Sequence, residues 1–168
     1  MQTLTVQQLI QHYHLQPHPE GGYYRETYRS VGIVPKVAMA KGFGGDRNWS
    51  TAIYFLLEKG NFSAFHRIKS DECWHFYAGQ TLLIYVIQLN GLLQIIKLGN
   101  DIANGEVFQF VVPANCWFAS IPADTTSFSF VGCTVSPGFD FDDFELAETE
   151  TLTKLYPRYK EIIKKLTR

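Results

Sequence analysis

Residues 60–79 read GNFSAFHRIKSDECWHFYAG, and the spacing of the polar residues in this stretch decides how the rest of the chain is read. His66 and Ile68 stand two apart, so in an extended strand they share one face. Lys69-Ser70-Asp71 is a turn signal, after which Glu72 opens a second strand-like run, ECWHFYA. From that neighbouring strand Glu72 points back toward His66. A carboxylate beside a histidine orients the ring, selects its tautomer and raises its basicity, which makes His66 and Glu72 the candidate catalytic pair. His75, three residues beyond Glu72, falls on the opposite face of a regular strand and reaches the pair only through a β-bulge.

Gly60, His66, Glu72 and Gly79 follow the pattern G-x5-H-x-H-x3-4-E-x6-G, with Ile68 in place of the second histidine. Downstream, GEVFQFVVPAN (105–115) supplies a strand and a turn, and Asn115 stands where φ > 0 is called for, a conformation asparagine tolerates. In these two motifs the sequence resembles the cupin superfamily, with Asn115 replacing the glycine of the P-x-G turn and Phe118 replacing the final histidine. HPEGGYYRETYRS (18–30), STAIYFLL (50–57), SDECWHFYAG (70–79), VVPANCWFAS (111–120) and CTVSPGFDFDDFELA (133–147) resemble one member family, cupin five, a domain of unknown function. The resemblance implies an all-β fold, a cupin jelly-roll or double-stranded β-helix barrel with short N- and C-terminal helices. It also implies that the His66 face lines the barrel interior and that two of the four usual metal ligands are missing.

A facial-triad metal site needs two histidines and a carboxylate, and His66 with Glu72 supplies one of each. His75 is the substitute a metal would recruit, while Gln109 offers only a poor oxygen ligand. The expectation is a metal-poor barrel with no cofactor. Ile68 and Phe118 turn a coordination cage into an apolar pocket with a few polar groups, the form of an organic-ligand site. Tyr54, His75, Gln109 and Phe118 are candidate ligand contacts, among aromatic residues that otherwise fill the core.

YYRETYRS (23–30) alternates Tyr24, Glu26 and Tyr28 with Tyr23, Arg25, Thr27 and Arg29, a strand with two unlike faces. It is similar to the early strand of metal-free cupin epimerases that act on nucleotide-linked keto-deoxysugars. That similarity implies a substrate held across a homodimer interface, with Arg25 or Arg29 meeting phosphate through a planar fork and Glu26 meeting hydroxyls. The expected partners are therefore a small-molecule ligand, polar or nucleotide-like, and a second copy of the chain. One reading is an isomerase or epimerase in which His66, oriented by Glu72, abstracts a proton next to a carbonyl. A second is a non-catalytic binding or sensing module with the same pocket, and a third, a metal-dependent oxygenase or isomerase using His66, Glu72 and His75, requires a ligand set that the sequence does not complete.

Composition bounds these readings. The 168 residues, 46% apolar and 15% aromatic, suit one domain with a filled β core. A formal charge of −1 leaves no basic stripe for a phosphate backbone, so nucleic-acid binding is not expected. MQTLTVQQLI lacks the features of a signal peptide and no apolar run suits a bilayer span. Three cysteines outside any C-x-x-C pair suit reduced thiols in the cytoplasm. A helix is expected over 5–14, the barrel over about 20–147, and a helical segment over about 150–167. Residues 31–48, rich in glycine, read as a long loop or irregular hairpin, and Asn90-Gly91 as a type I′ hairpin turn. In FDFDDFE (139–145) the phenylalanines are expected to pack while the acids face water.

Overall fold

Apolar and polar residues alternate over much of the chain between Tyr23 and Ser136, and the alternating runs become strands. The computed structural model describes residues 4–123 and 127–168. Helix α1 (Val6–Tyr13) starts in a capping box: the Gln8 N–H donates to the Thr5 hydroxyl and the Gln8 side chain accepts from the Thr5 N–H. The strands follow as β1 (Gln16–Pro17), β2 (Tyr23–Arg29), β3 (Ile33–Val34), β4 (Arg47–Asn48), β5 (Thr51–Leu57), β6 (Ser63–Arg67) and β7 (Asp71–Gly79). Then come β8 (Leu82–Ile87), β9 (Leu93–Leu98), β10 (Gln109–Val112), β11 (Trp117–Pro122), β12 (Ser129–Ser136) and β13 (Glu145–Leu146), before α2 (Thr149–Leu155) and α3 (Lys160–Lys165).

Two antiparallel sheets, ordered β1-β2-β5-β12-β7-β10 and β13-β6-β11-β8-β9, form the expected all-β jelly roll with short helices at either end. Their inner faces meet in a core to which one sheet brings Phe55, Trp74 and Val131 and the other Leu82, Ile84 and Phe118. Outside the first sheet, Leu9 of α1 packs with Leu56, Phe128 and Phe130. Outside the second, Leu152 of α2 and Ile163 of α3 cover Phe65 and Trp117. With both outer faces covered, the inner space is left to side chains of strand parity, and that space contains the site.

Some local readings hold in the structure and others change. Residues 31–48 form an irregular hairpin in which β3 pairs with β4. The turn at Asn90-Gly91 is not type I′: the Gly91 N–H donates to the Gln88 carbonyl, the Gln88 N–H to the Leu92 carbonyl, and Gly91 (φ 80) is left-handed while Asn90 is not. A three-residue loop closed by a left-handed glycine satisfies the strand twist equally well. Asn115 does adopt φ 65. In the acidic segment Asp143 is buried rather than facing water, because Arg47 of the β3–β4 hairpin reaches it, Nε to Oδ2 at 2.6 Å, with Lys69 Nζ 3.3 Å from Oδ1.

Candidate functional site

A cavity of about 290 Å³ lies against the inner face of the first sheet. Its apolar wall is Ile53, Phe55, Ile68, Val135, Phe139 and Phe141, and its polar end gathers His18, Glu20, His66 and Glu72. Glu26 and Arg29 stand at the solvent side, their side chains 41% and 38% exposed. They share the cavity face because β2 carries a bulge between Glu26 and Tyr28. The extra residue shifts strand parity by one and brings Arg29 round to Glu26.

A second bulge builds the polar end. Register between β11 and β6 shifts between Phe118↔His66 and Ser120↔Ser63, so Ser63 and His66, three residues apart, both reach one carboxylate. The Ser63 hydroxyl donates to Glu20 Oε1 at 2.8 Å, and His66 Nε2 lies 3.1 Å from Glu20 Oε2. His66 Nδ1 donates to the Ala64 carbonyl at 2.7 Å, which fixes the ring proton on Nδ1 and leaves Nε2 for Glu20. Burial raises the Glu20 carboxyl above its ordinary range and lowers His66 below its own. Both shifts favour the neutral pair, in which a protonated Glu20 donates to Nε2.

Glu20 arrives from a loop clamped on both sides. Its backbone carbonyl accepts from the Ala64 N–H at 2.9 Å and from Arg168 Nε at 3.3 Å. Arg168 Nη2 donates in turn to Asn61 Oδ1 (2.9 Å) and to the Phe62 carbonyl (3.1 Å). Gly21 follows at φ 117, where any Cβ would meet the Phe62 carbonyl and the Arg168 guanidinium. Gly21→Ala is expected to cost at least about 2 kcal/mol, as strain and clash add, and to displace Glu20. Thermal unfolding reads the first effect, and the His66 imidazole NMR shifts read the second.

Glu72 is buried, with the Cys133 thiol and the Trp74 indole beside its carboxyl. Burial is the main force on it, and its carboxyl is raised to about 7 although the nearby His66 pulls the other way. Glu20 adds to the rise, while the Cys133 thiol and Trp74 indole beside it favour the charged form slightly. The buried Trp74 Nε1–H has no other partner among the described residues. A buried carboxyl raised to about 7 is suited to giving and taking protons near neutral pH.

The family model described as Cupin superfamily (DUF985) matches residues 7–147. The chain belongs to this cupin family. An uncharacterised protein of Saccharomyces cerevisiae is 34% identical over 158 residues, covering 87% of this chain and 77% of that protein. Among solved structures, a protein from Shewanella oneidensis aligns with TM-score 0.87 and 44% identity over 99% of both chains. A hypothetical protein from Leishmania major aligns with TM-score 0.89 and 35% identity, over 98% of this chain and 99% of that one. Oxalate decarboxylase from Bacillus subtilis shares the fold alone, at 15% identity and TM-score 0.54, covering 89% of this chain and 36% of that enzyme.

Within this cupin barrel the residues singled out from sequence separate into two groups. His66, Ile68, Glu72, Glu26 and Arg29 line the cavity, but His66 is hydrogen-bonded to Glu20 rather than to Glu72. Phe118 stands behind the imidazole, ring centres 4.0 Å apart. Arg25 is exposed on the outer face of β2 and is not part of the wall. Tyr54 also points outward, its ring 4.7 Å from that of Tyr13, because its neighbours Ile53 and Phe55 take the inner positions. His75 accepts from Gln109 Nε2 at 2.8 Å and meets Thr134 Oγ1 at 3.1 Å, away from the cavity. The bulge of β7 lies opposite Phe130 and Val131, past His75, so it does not turn His75 inward.

This donor set does not fit the metal cage that the cupin family implies. His66 Nε2 is committed to Glu20, His75 faces out, and no group of three His, Cys, Asp or Glu among the described residues is arranged to hold a metal. His18 and Glu20 are the functional residues that sequence reasoning missed. The HPEGG stretch that carries them has no strand period, and only the presence of a histidine and an acid before paired glycines marked it.

Proposed function

We propose that the chain binds a small polar organic molecule in this cavity and moves a proton next to its carbonyl group, as in isomerisation or epimerisation. Glu72 is the group that takes and returns the proton, since it lines the cavity and no cation holds it in the charged form. His66, with both nitrogens engaged, positions Glu20 and adjusts Glu72 through its field rather than acting as the base. One observation carries this reading: a buried carboxyl that is paired with no cation, with only the Cys133 thiol and the Trp74 indole beside it, lines the cavity among the described residues. Such a group is costly to keep unless something else gains from it. The test is deuterium exchange from D2O into the carbon-bound protons of small hydroxy-carbonyl compounds. Exchange accelerated by wild type and lost in Glu72→Gln supports proton transfer. Exchange that survives the substitution refutes it, and a binding module is then the better description.

We also propose that two copies associate along β2. Its partner β1 pairs only with Tyr23 and Tyr24, which leaves the backbone edge from Arg25 to Arg29 without a strand on that side, beside the exposed Tyr28. Light scattering after size exclusion is expected to give the mass of a dimer. Tyr28→Lys, which adds a charge at that edge, is expected to shift the protein toward monomer.

A further inference from the structure

The cavity wall also sets the charge of what it binds. Four carboxyl groups, those of Glu20, Glu26, Glu72 and Asp140, line it against a single permanent cation, Arg29. All five N–H groups of that guanidinium are engaged. Nε and Nη2 donate to the two oxygens of Glu26 at 3.0 and 2.7 Å, Nη1 to Asn48 Oδ1 at 2.8 Å, and Nη1 and Nη2 each to the Phe139 carbonyl at 3.2 Å. Phosphate and carboxylate groups are held by free arginine forks or lysine ammoniums, and this wall has neither to offer. An anion here would give up its water and find no free cation in exchange, a desolvation cost that nothing on the wall offsets.

His18 provides the complementary feature. Its Nδ1 accepts the backbone N–H of Glu20 at 3.3 Å, so in the neutral ring the proton sits on Nε2. Burial lowers its pKa and the neighbouring His66 adds to that, against an opposing pull from Glu20. The ring is held edge-on to Tyr24 at 4.5 Å and stacked on Phe141 at 6.1 Å. Nε2 makes no hydrogen bond among the described residues, and the ring lines the cavity. A fixed, neutral N–H is the donor suited to a carbonyl oxygen that gains negative charge as the adjacent proton leaves.

We propose that the ligand is an uncharged hydroxy-carbonyl compound whose carbonyl oxygen accepts from His18 Nε2–H. This rests on the proton-transfer reading of the same cavity. In the step, the Glu72 carboxylate takes the proton from the carbon next to the C=O. The C–H electron pair becomes a C=C bond, and the π pair of the C=O moves onto the oxygen held by His18. Return of the proton to carbon restores the C=O, so the sequence needs no oxidant or reductant.

Long-range 15N–1H spectra of protein labelled at histidine test this, with hydroxyacetone, glycolate and hydroxyacetone phosphate as probes. The expected result is His18 as the Nε2–H tautomer, with its Nε2 resonance moved saturably by hydroxyacetone and by neither anion at equal concentration. His18→Phe is expected to weaken hydroxyacetone binding by about tenfold or more, the scale of one lost buried hydrogen bond. His18→Gln, which keeps an N–H at similar reach, is expected to restore most of it. An anion that binds as well as hydroxyacetone overturns the proposal, as does the Nδ1–H tautomer or no response to any probe. These wild-type measurements decide the matter even if His18→Phe fails to fold. If hydroxyacetone binds as expected but its protons exchange no faster than with Glu72→Gln, the ligand class stands and the proton-transfer reading falls.

Discussion

Glu72→Gln is expected to raise stability above neutral pH by up to about 3 kcal/mol while lowering proton-transfer turnover by ~10²- to 10⁴-fold, the usual loss when a general base is removed. The folded-state pKa of about 7 lies above the ordinary value of 4.5, so between those values the native state binds a proton that the unfolded chain does not. The stability this provides is complete below about pH 4.5 and is lost as pH rises through 7. Glutamine mimics the protonated acid and does not titrate. The variant and wild type should therefore unfold alike in acid and diverge as pH rises. His18 and His66, both lowered by burial, act in the other sense and destabilise the fold as pH falls below about 6.5. Glu20, raised by burial, leaves a residual decline at high pH in both proteins. Urea titrations at pH 5 and 8.5 check the divergence, and equal midpoints at pH 8.5 would show that Glu72 is not desolvated.

Asp143→Ala should cost about 3 to 5 kcal/mol, the scale observed when one partner of a buried ion pair is removed. Arg47 and Asp143 are both buried, and Arg47 Nη2 already lacks a partner. Without the carboxylate the guanidinium keeps, among the described residues, only the Asp46 carbonyl at 2.8 Å, and must pull out to water or remain uncompensated. Burial pushes the Asp143 carboxyl up, but Arg47 and Lys69 outweigh it and hold it below its usual value. The pair therefore contributes at neutral pH and weakens only in strong acid. Arg47→Met with Asp143→Leu should recover most of the loss, because desolvation offsets much of what a buried pair gains. Unfolding of the two variants side by side decides whether the pair or mere bulk holds the β3–β4 hairpin to the acidic segment.

The fold was legible because strand period and turn chemistry are local. His66 with Ile68, and Glu72 after its turn, needed only a period of two, and Asn115 needed only tolerance of a left-handed backbone. What stayed hidden depends on parity and on long-range pairing. A bulge at Thr27 brings Arg29 to the cavity while leaving Arg25 outside. Tyr54 is one residue out of step with the inward positions beside it, and no motif marks that, whereas the outward face of His75 follows from its three-residue spacing from Glu72. The partner of His66 comes from an aperiodic loop 46 residues earlier in the chain, and pairing over that distance is set by the barrel rather than by spacing.

The clamp on Glu20 has a consequence for biosynthesis. Its carbonyl is gripped by β6 from one side and by Arg168 from the other, and the Phe65 N–H of that strand donates to the Leu166 carbonyl. The acid at the centre of the site thus depends on residues translated almost 150 positions later. The barrel can assemble as its strands emerge from the ribosome, but the polar end of the cavity is fixed only when residues 166–168 dock. Until then Glu20 lacks half its support, so the polar end of the cavity takes its final form only after the strands around it are in place.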